Sequence, residues 1–334
     1  MRRFDVCGLG NAIVDIFLEL SDAEFQSLGF ERGTMRLVER DEQQQLFSRF
    51  HDAGNQGRHD LRLVSGGSVA NSIIGLTQLG GRSAFIGCVG DDRYGLHYAE
   101  EFEQLKINFA ANILVGETTG TCLVIITPDA ERTMRTCLAV SSHLSTQHVT
   151  AESIAQSEWL FIEGYVFANP DTGQHAIREA IRIAKQSGTK IALTCSDAFI
   201  PQVFGDVFRE ALTQSDLLFC NAVEAQSLTG TSDAASAFAA LKQSVQSTVV
   251  TDGPHGAFVR FAGQETHVAA YDCEPKDLTG AGDMFAGAFL YGITHGLAPD
   301  VAARGANYLC MKVITQIGAR LHAGAVEHWT LATT

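Results

Sequence analysis

The sequence predicts an α/β fold: a doubly wound, mostly parallel sheet between two layers of helices (an α/β/α sandwich), with a small β-rich lid. Three observations carry that prediction. Short apolar runs of strand length alternate with helical patterns over most of the 334 residues, the rhythm of βαβ units. Two stretches, 15–38 and 108–135, break this rhythm with strand-like starts, glycines and turn signals such as Val115-Gly116-Glu117 and Pro128-Asp129-Ala130. The composition, 46% hydrophobic and 19% charged, is that of a chain able to bury a large core. The expected division is therefore a large α/β unit from residues 1–14, 39–107 and 136–334, and a lid from 15–38 and 108–135.

Taken in order, residues 4–9 read as the first strand. Residues 40–61 are polar, with Gln43-Gln44-Gln45 and Gly54-Asn55-Gln56-Gly57, and read as a surface helix and loop. Residues 68–79 form a helical pattern stopped by Gly80-Gly81. A buried strand over 83–89 and a helix over 94–106 follow. Residues 159–163 read as a strand, after which Asn169 and Pro170 supply an N-cap and a first-turn proline for a helix ending near Gly188. Residues 190–194, 217–220 and 248–251 are further short strands. Helices fill the gaps and the segment 281–314.

Charge and cysteine usage narrow the function classes. Twenty-four basic against 38 acidic residues give a net charge of −14, which argues against nucleic-acid or anionic-membrane partners. A small anion remains compatible, because amides at a helix N-terminus bind phosphate without any basic side chain. The 8 cysteines form no C-x-x-C pair and sit mostly in apolar runs, as expected for buried free thiols in a reducing compartment. The 11 histidines show no zinc-site spacing. No run of 18 apolar residues and no secretory leader are read, so a cytoplasmic location is expected.

Three segments carry candidate chemistry. In Asp277-Leu278-Thr279-Gly280-Ala281-Gly282-Asp283, small residues allow a tight turn just before an apolar helix. The helix start then offers unpaired N–H groups and a positive dipole end, an anion hole. A carboxylate in that first turn would repel a bound phosphate; Asp283 makes sense there as an acceptor of a proton from an attacking hydroxyl. A glycine-rich turn with Asp283 merely complementing the dipole fits the spacing equally well. In Gly66-Gly67-Ser68-Val69-Ala70-Asn71, the glycines permit close approach of a ligand and Asn71 offers a donor and an acceptor. A simple loop and capped helix is the alternative. Gly8-Leu9-Gly10-Asn11-Ala12-Ile13 starts like a dinucleotide loop but lacks the third glycine, so a Rossmann oxidoreductase is rejected. No G-x-x-x-x-G-K-[ST] loop is present either. Asp15, just past this strand, could accept substrate hydroxyls.

Together these segments resemble the ribokinase, or PfkB, family of carbohydrate and nucleoside kinases. Residues 66–95, with Gly80-Gly81 and Val89-Gly90-Asp91-Asp92, resemble its N-terminal signature, and residues 277–290 its C-terminal one. Asn221-Ala222-Val223-Glu224 matches its N-x-x-E motif, and Thr251-Asp252-Gly253-Pro254-His255-Gly256 its nucleotide-side turn. Four motifs in family order span nearly the whole chain. Leu278 departs from the small or β-branched residue of many members and faces no obvious chemistry.

The resemblance implies an ATP-dependent kinase of ribokinase-like fold. Asp283 would be the general base toward a primary hydroxyl, with the amides near Gly280, Ala281 and Gly282 stabilising the transferring phosphoryl group. Asn221 and Glu224 would organise Mg²⁺, Glu224 through water, although a helix cap and a surface carboxylate explain the same pair. Thr251, Gly253, Gly256 and Asn307 would lie along the nucleotide. Asp277 and Thr279 would belong to a monovalent-cation (K⁺) loop. On the acceptor side the resemblance implies Asp15, Gly66, Gly67, Asn71 and Glu163, the last placed like a sugar contact in some sugar kinases.

Local strings lean toward the adenosine-kinase branch: residues 10–16, Gly120-Thr121-Cys122, residues 131–136 and Ser196-Asp197-Ala198-Phe199-Ile200. They imply that Tyr165 and Phe199 form an aromatic platform for a base and that Arg132 or Arg135 caps the acceptor, with Arg135 the residue preferred. Core packing and a surface ion pair are the corresponding alternatives. The stretch Cys137-Leu138-Ala139-Val140 departs from relatives that carry a glycine there. The expected function is transfer of the γ-phosphoryl group to a nucleoside such as adenosine. Alternatives are a sugar kinase for ribose, fructose or a keto-acid sugar, and a non-catalytic nucleotide or sugar sensor. The expected partner is a small-molecule nucleoside or sugar, with the chain a monomer or homodimer.

Overall fold

A computed structural model describes residues 2–51, 62–129 and 131–334. The strands among them are β1 (Phe4–Leu9), β2 (Ile13–Glu19), β3 (Met35–Leu37), β4 (Arg62–Gly66), β5 (Ser83–Gly90), β6 (Asn108–Leu114) and β7 (Gly120–Ile126). They continue as β8 (Arg132–Cys137), β9 (Ser157–Ile162), β10 (Lys190–Thr194), β11 (Leu217–Asn221), β12 (Ser247–Thr251), β13 (Ala257–Phe261) and β14 (Gln264–Val268). They build a nine-stranded sheet in the order β14-β13-β12-β11-β10-β9-β1-β5-β6 and a five-stranded sheet in the order β3-β8-β7-β2-β4. The large sheet is parallel except at β13 and β14, which close one edge as antiparallel hairpins. The doubly wound, mostly parallel sheet read from the sequence is the fold observed.

The apolar runs are near-continuous because both faces of the large sheet are covered. Along β1, Val6 packs into one layer with Phe85, Phe161, Phe219 and Phe289, while Cys7 and Leu9 pack into the other with Phe167 and Phe208. The second sheet buries Leu18, Leu123 and Ile125 under Phe25 and Leu46, the latter on the helix Arg40–His51. Its other face carries Ile13, Phe17, Cys122, Val124 and Ile126. All eight cysteines are free, six of them buried, as expected.

Three sequence expectations need correction. β6, assigned to the lid region, pairs in parallel with β5 as an edge strand of the large sheet. The helix Arg93–Gln104 is the crossover that carries the chain there, and Phe109 of β6 joins the ring cluster of Phe85, Tyr98 and Phe102. β4, assigned to the large unit, instead pairs antiparallel with β2 in the small sheet, and residues 13 and 14, also assigned to the large unit, belong to that sheet as part of β2. The helix after β9 begins at Gly173, not at Asn169–Pro170, because a 3₁₀ turn over Gly164–Ala168 leads first into a turn at those residues. It ends at Gly188 as expected, in a left-handed cap. The loop expected over residues 54–57 lies outside the described residues.

One crossing positions everything that follows. The helices Ser68–Gln78 and Ala281–Thr294 approach so closely that a Cβ on Gly287 would sit 2.2 Å from the Ser72 carbonyl oxygen. A Cβ on Gly75 would sit 3.2 Å from the Met284 methyl. Alanine is the better helix former by about 1 kcal/mol, but at residue 287 the added methyl meets rigid backbone. Gly287→Ala is therefore expected to lower the unfolding free energy by about 1–3 kcal/mol, the range for overpacking. A urea midpoint unchanged or raised in this variant would show that the crossing is not tight.

Candidate active site

The site forms where this crossing brings two helix N-termini together at the carboxyl ends of the large-sheet strands. Gly280 caps the helix Ala281–Thr294 in a left-handed conformation, φ 77°. A side chain there would be strained, and its Cβ would lie 2.4 Å from the Ala319 carbonyl oxygen. The first-turn amides lack partners within the helix. Gly280, Ala281 and Gly282 line a cavity of about 210 Å³ with Ser68, Asn221, Glu224, Thr251, Leu278 and Asp283. A Cβ on Gly282 would meet nothing within 4 Å, so its absence leaves an open cradle over the helix start.

Asp283 sits in that first turn. Its Oδ1 accepts from the Ser68 hydroxyl at 2.7 Å and its Oδ2 from the Asn71 amide at 3.2 Å. Burial pushes the Asp283 carboxyl up to about 6, held back by the Ser68 and Asn71 hydrogen bonds. A carboxylate in this range is mostly ionised at pH 7 and still basic enough to take a proton.

A second cavity, about 410 Å³, adjoins the first and is lined by Thr251, Gly253, Gly256 and Asn307. Thr251, Leu278, Ala281, Gly282 and Phe285 line both. Leu278, expected to face no obvious chemistry, is exposed and lines both cavities. The Asn307 amide is buried and donates to the carbonyls of Val268 and Ala269 at 3.2 and 3.0 Å.

Asn221 and Glu224 form a capping box at the helix Ala222–Thr229. Asn221 accepts from the Glu224 N–H, while its own backbone N–H and amide donate to the two Glu224 oxygens, each at 2.9 Å. Burial raises the Glu224 carboxyl to about 7, opposed by the Asn221 N–H and reinforced by Asp197 and Asp283. The cap role is observed, and it also aims both side chains at the cavity.

On the opposite side stand two further carboxyls. Asp15 projects from β2 beside Gly66, where a Cβ would lie 2.8 Å from its Oδ2. Burial lifts Asp15 to about 7, with Arg320 and Arg132 opposing and Asp283 adding to the shift. Glu163 follows β9 and is wholly buried. It accepts from the Asn11 amide at 2.9 Å and from the Val69 N–H at 3.2 Å, capping the helix Ser68–Gln78. Burial raises it to about 7 as well. Gly67 precedes that helix with φ 107°, and a Cβ there would lie 2.1 Å from the Asn11 carbonyl oxygen. Asn71 is engaged on both sides, donating to Asp283 and accepting from the Arg320 Nε–H at 3.2 Å. Tyr165 and Phe199 lie next to each other, rings 6.2 Å apart and tilted by 38°.

Arg135 is misplaced in the sequence reading. Side chains alternate along β8, so residues 133, 135 and 137 are buried on one face. Arg135 there stacks on Phe30 and donates to the Thr34 carbonyl, away from Asp283. Arg132, on the other face, pairs with Asp277 at 2.6 Å and donates to the Thr279 hydroxyl at 3.2 Å. Asp277 also accepts from the Gly318 and Thr279 N–H groups. The two residues expected at a monovalent cation are therefore bound by an arginine of the small sheet. Sequence reasoning also missed Ser68 as a partner of Asp283, and Arg320. The serine stands in a motif already noted, but nothing local to Arg320 marks it.

The chain is similar over most of its length to known proteins. Residues 37–323 match the family model described as pfkB family carbohydrate kinase. The chain is 28% identical over 270 residues to a ribokinase of Haemophilus influenzae, covering 78% of this chain and 84% of that one. It is 28% identical over 288 residues to an adenosine kinase of Schizophyllum commune, with 78% and 82% covered. The crystal structure of an adenosine kinase from Sinorhizobium meliloti superposes with a TM-score of 0.87 at 32% identity, covering 99% of both chains. With the motifs, the fold and the helix-terminus site all in agreement, the chain belongs to the pfkB family of carbohydrate kinases and is a phosphotransferase acting on an alcohol group.

Proposed function

We propose that the protein transfers the γ-phosphoryl group of ATP to a primary hydroxyl of a neutral, polyhydroxylated acceptor, with a nucleoside such as adenosine the leading candidate. The observation that carries this reading is Asp283. It is a partly protonatable carboxylate, hydrogen-bonded by Ser68 and Asn71, beside the open amides of the helix whose start it occupies. The two adjoining cavities suit a nucleotide whose terminal phosphate reaches the smaller one.

Asp283 takes the hydroxyl proton as the oxygen attacks phosphorus, and the amides near Gly280, Ala281 and Gly282 offset the charge on the transferring group. No three His, Cys, Asp or Glu side chains among the described residues form a metal-ligating group. A magnesium ion here would rest mainly on phosphate oxygens and waters, its usual preference, with Asn221 and Glu224 orienting those waters. Bound so, it would neutralise phosphate charge. A potassium ion near Asp277 and Thr279 would have to share Asp277 with Arg132. The small sheet, with Asp15 and Arg132 facing the site, serves as a cover that excludes water as a competing acceptor.

The acceptor class follows from charge. Asp15, Glu163 and Asp283 surround that side, so an anionic keto-acid sugar would meet three carboxyls. Neutral hydroxyls would be accepted. The Tyr165–Phe199 pair favours a nucleoside, since a flat base stacks on an aromatic face. A free sugar is the second reading, favoured by the ring of carboxyls alone. A sensor would not need a tuned base.

Three outcomes are expected. A coupled ADP-release assay with Mg-ATP should show turnover with adenosine or another nucleoside; turnover with free sugars only would reduce the aromatic pair to packing. Asp283→Asn should lower kcat by about 10²–10⁴-fold, the usual worth of a general base, while calorimetry still detects ATP binding. A variant with near-wild-type kcat would remove Asp283 from the chemistry. The rate should also fall on acidification, because Asp283 works ionised and its raised pKa of about 6 is the folded value. A pH profile flat from 8 down to about 5 would contradict that assignment.

A further inference from the structure

Arg320 lies in the segment after the helix Pro299–Ile314 and reaches back beneath the site. Its side chain is 11% exposed. Two side chains hold it. Its Nε–H donates to the Asn71 Oδ1 at 3.2 Å, its Nη1 donates to the Glu101 Oε1 at 2.8 Å, and its Nη2 is buried with no hydrogen-bond partner among the described residues. Glu101, on the helix Arg93–Gln104, also accepts from the Ser65 N–H at 2.9 Å. Burial raises the Glu101 carboxyl, but Arg320 and Ser65 outweigh it and hold the group below its usual range.

The chemistry of these partners permits one arrangement. A guanidinium has only donors, and an ionised carboxylate only acceptors. Asn71 stands between one of each. With its oxygen toward Arg320, its nitrogen is delivered to the Asp283 Oδ2. A flipped amide would set N–H against N–H and a carbonyl against a carboxylate, losing both bonds. Ser68 alone could not select the orientation, since its hydroxyl rotates freely.

We propose that Arg320 is a positioning residue for phosphoryl transfer: its Nε–H locks the Asn71 amide in the one orientation that donates to Asp283, and Glu101 holds Arg320 in place. This rests on Asp283 being the base. Other groups within electrostatic reach of Asp283 are Asp15, Glu163, Glu224, Tyr165 and Cys310. Arg320 bears directly on Asp15, whereas the groups that lower Asp283 are Ser68 and Asn71.

The test is a carbon-13 NMR titration of aspartate-labelled full-length protein, with the Asp283 carboxyl signal assigned by its loss in D283N. The Asp283 midpoint should rise by about one pH unit in Arg320→Met, and by a similar amount in Asn71→Ala. The double variant should rise no further than Asn71→Ala. Glu101→Gln should shift it the same way by less. An unmoved midpoint in Arg320→Met, or shifts that add in the double variant, would overturn the proposal. Should Arg320→Met fail to fold, Arg320→Lys decides: it keeps the charge but not the planar Nε–H, and a wild-type midpoint in it would count against the amide lock. Because the titration needs no acceptor, its outcome is separate from whether D283N still turns over, so failure of the coupling and failure of the base assignment are distinguishable.

Discussion

The close crossing of the helices Ser68–Gln78 and Ala281–Thr294 is the constraint on which the site depends. Gly287 lets the Ser72 carbonyl come within a distance that any side chain would forbid. That approach places Ser68 and Asn71 against Asp283, residues more than 200 positions apart. The same crossing sets two helix N-termini side by side. Each has orphan amides and a positive end. One is satisfied within the protein, by the carboxyl of Glu163 on the Val69 N–H. The other is left open above Gly282, where a ligand can supply the missing acceptors.

Charge is managed around that opening with few cations. Asp15, Glu163, Glu224 and Asp283 are all raised, each chiefly by burial. Among the described residues, the arginines that act on these carboxyls are Arg132 and Arg320, both committed to carboxylates, Asp277 and Glu101. On the proposed reading, a chain with net charge −14 would bind phosphate through backbone amides rather than through a basic surface. The fully buried Glu163 contributes to the order of the pocket by joining Asn11 to the helix start, whatever it does for the acceptor.

Most of the large sheet was legible because its strands are apolar on both faces and punctuated by glycines. The glycine-rich helix start with Asp283 in its first turn and the Asn221–Glu224 pair were legible because each is a local string with a local geometry. What escaped was set by pairing between distant segments. β4 and β6 carry no sign in their own residues of which sheet they join. Arg132 and Arg135 are three residues apart, and only the register of β8 against β7 decides which of them faces Asp277. Arg320 sits in no motif, and its importance comes from a helix almost 250 residues earlier in the chain.

The pairing of Arg132 with Asp277 has a consequence for how such chains diversify. It ties the small sheet to the loop that leads into the helix Ala281–Thr294, and the same arginine touches Phe17 on β2. The small sheet is therefore not a portable attachment. A small sheet without an arginine at that place would leave Asp277 without its cation, held only by the Gly318 and Thr279 N–H groups. A change at residue 132 on the small sheet thus reaches residue 277 beside the helix start, so rim and centre answer to each other.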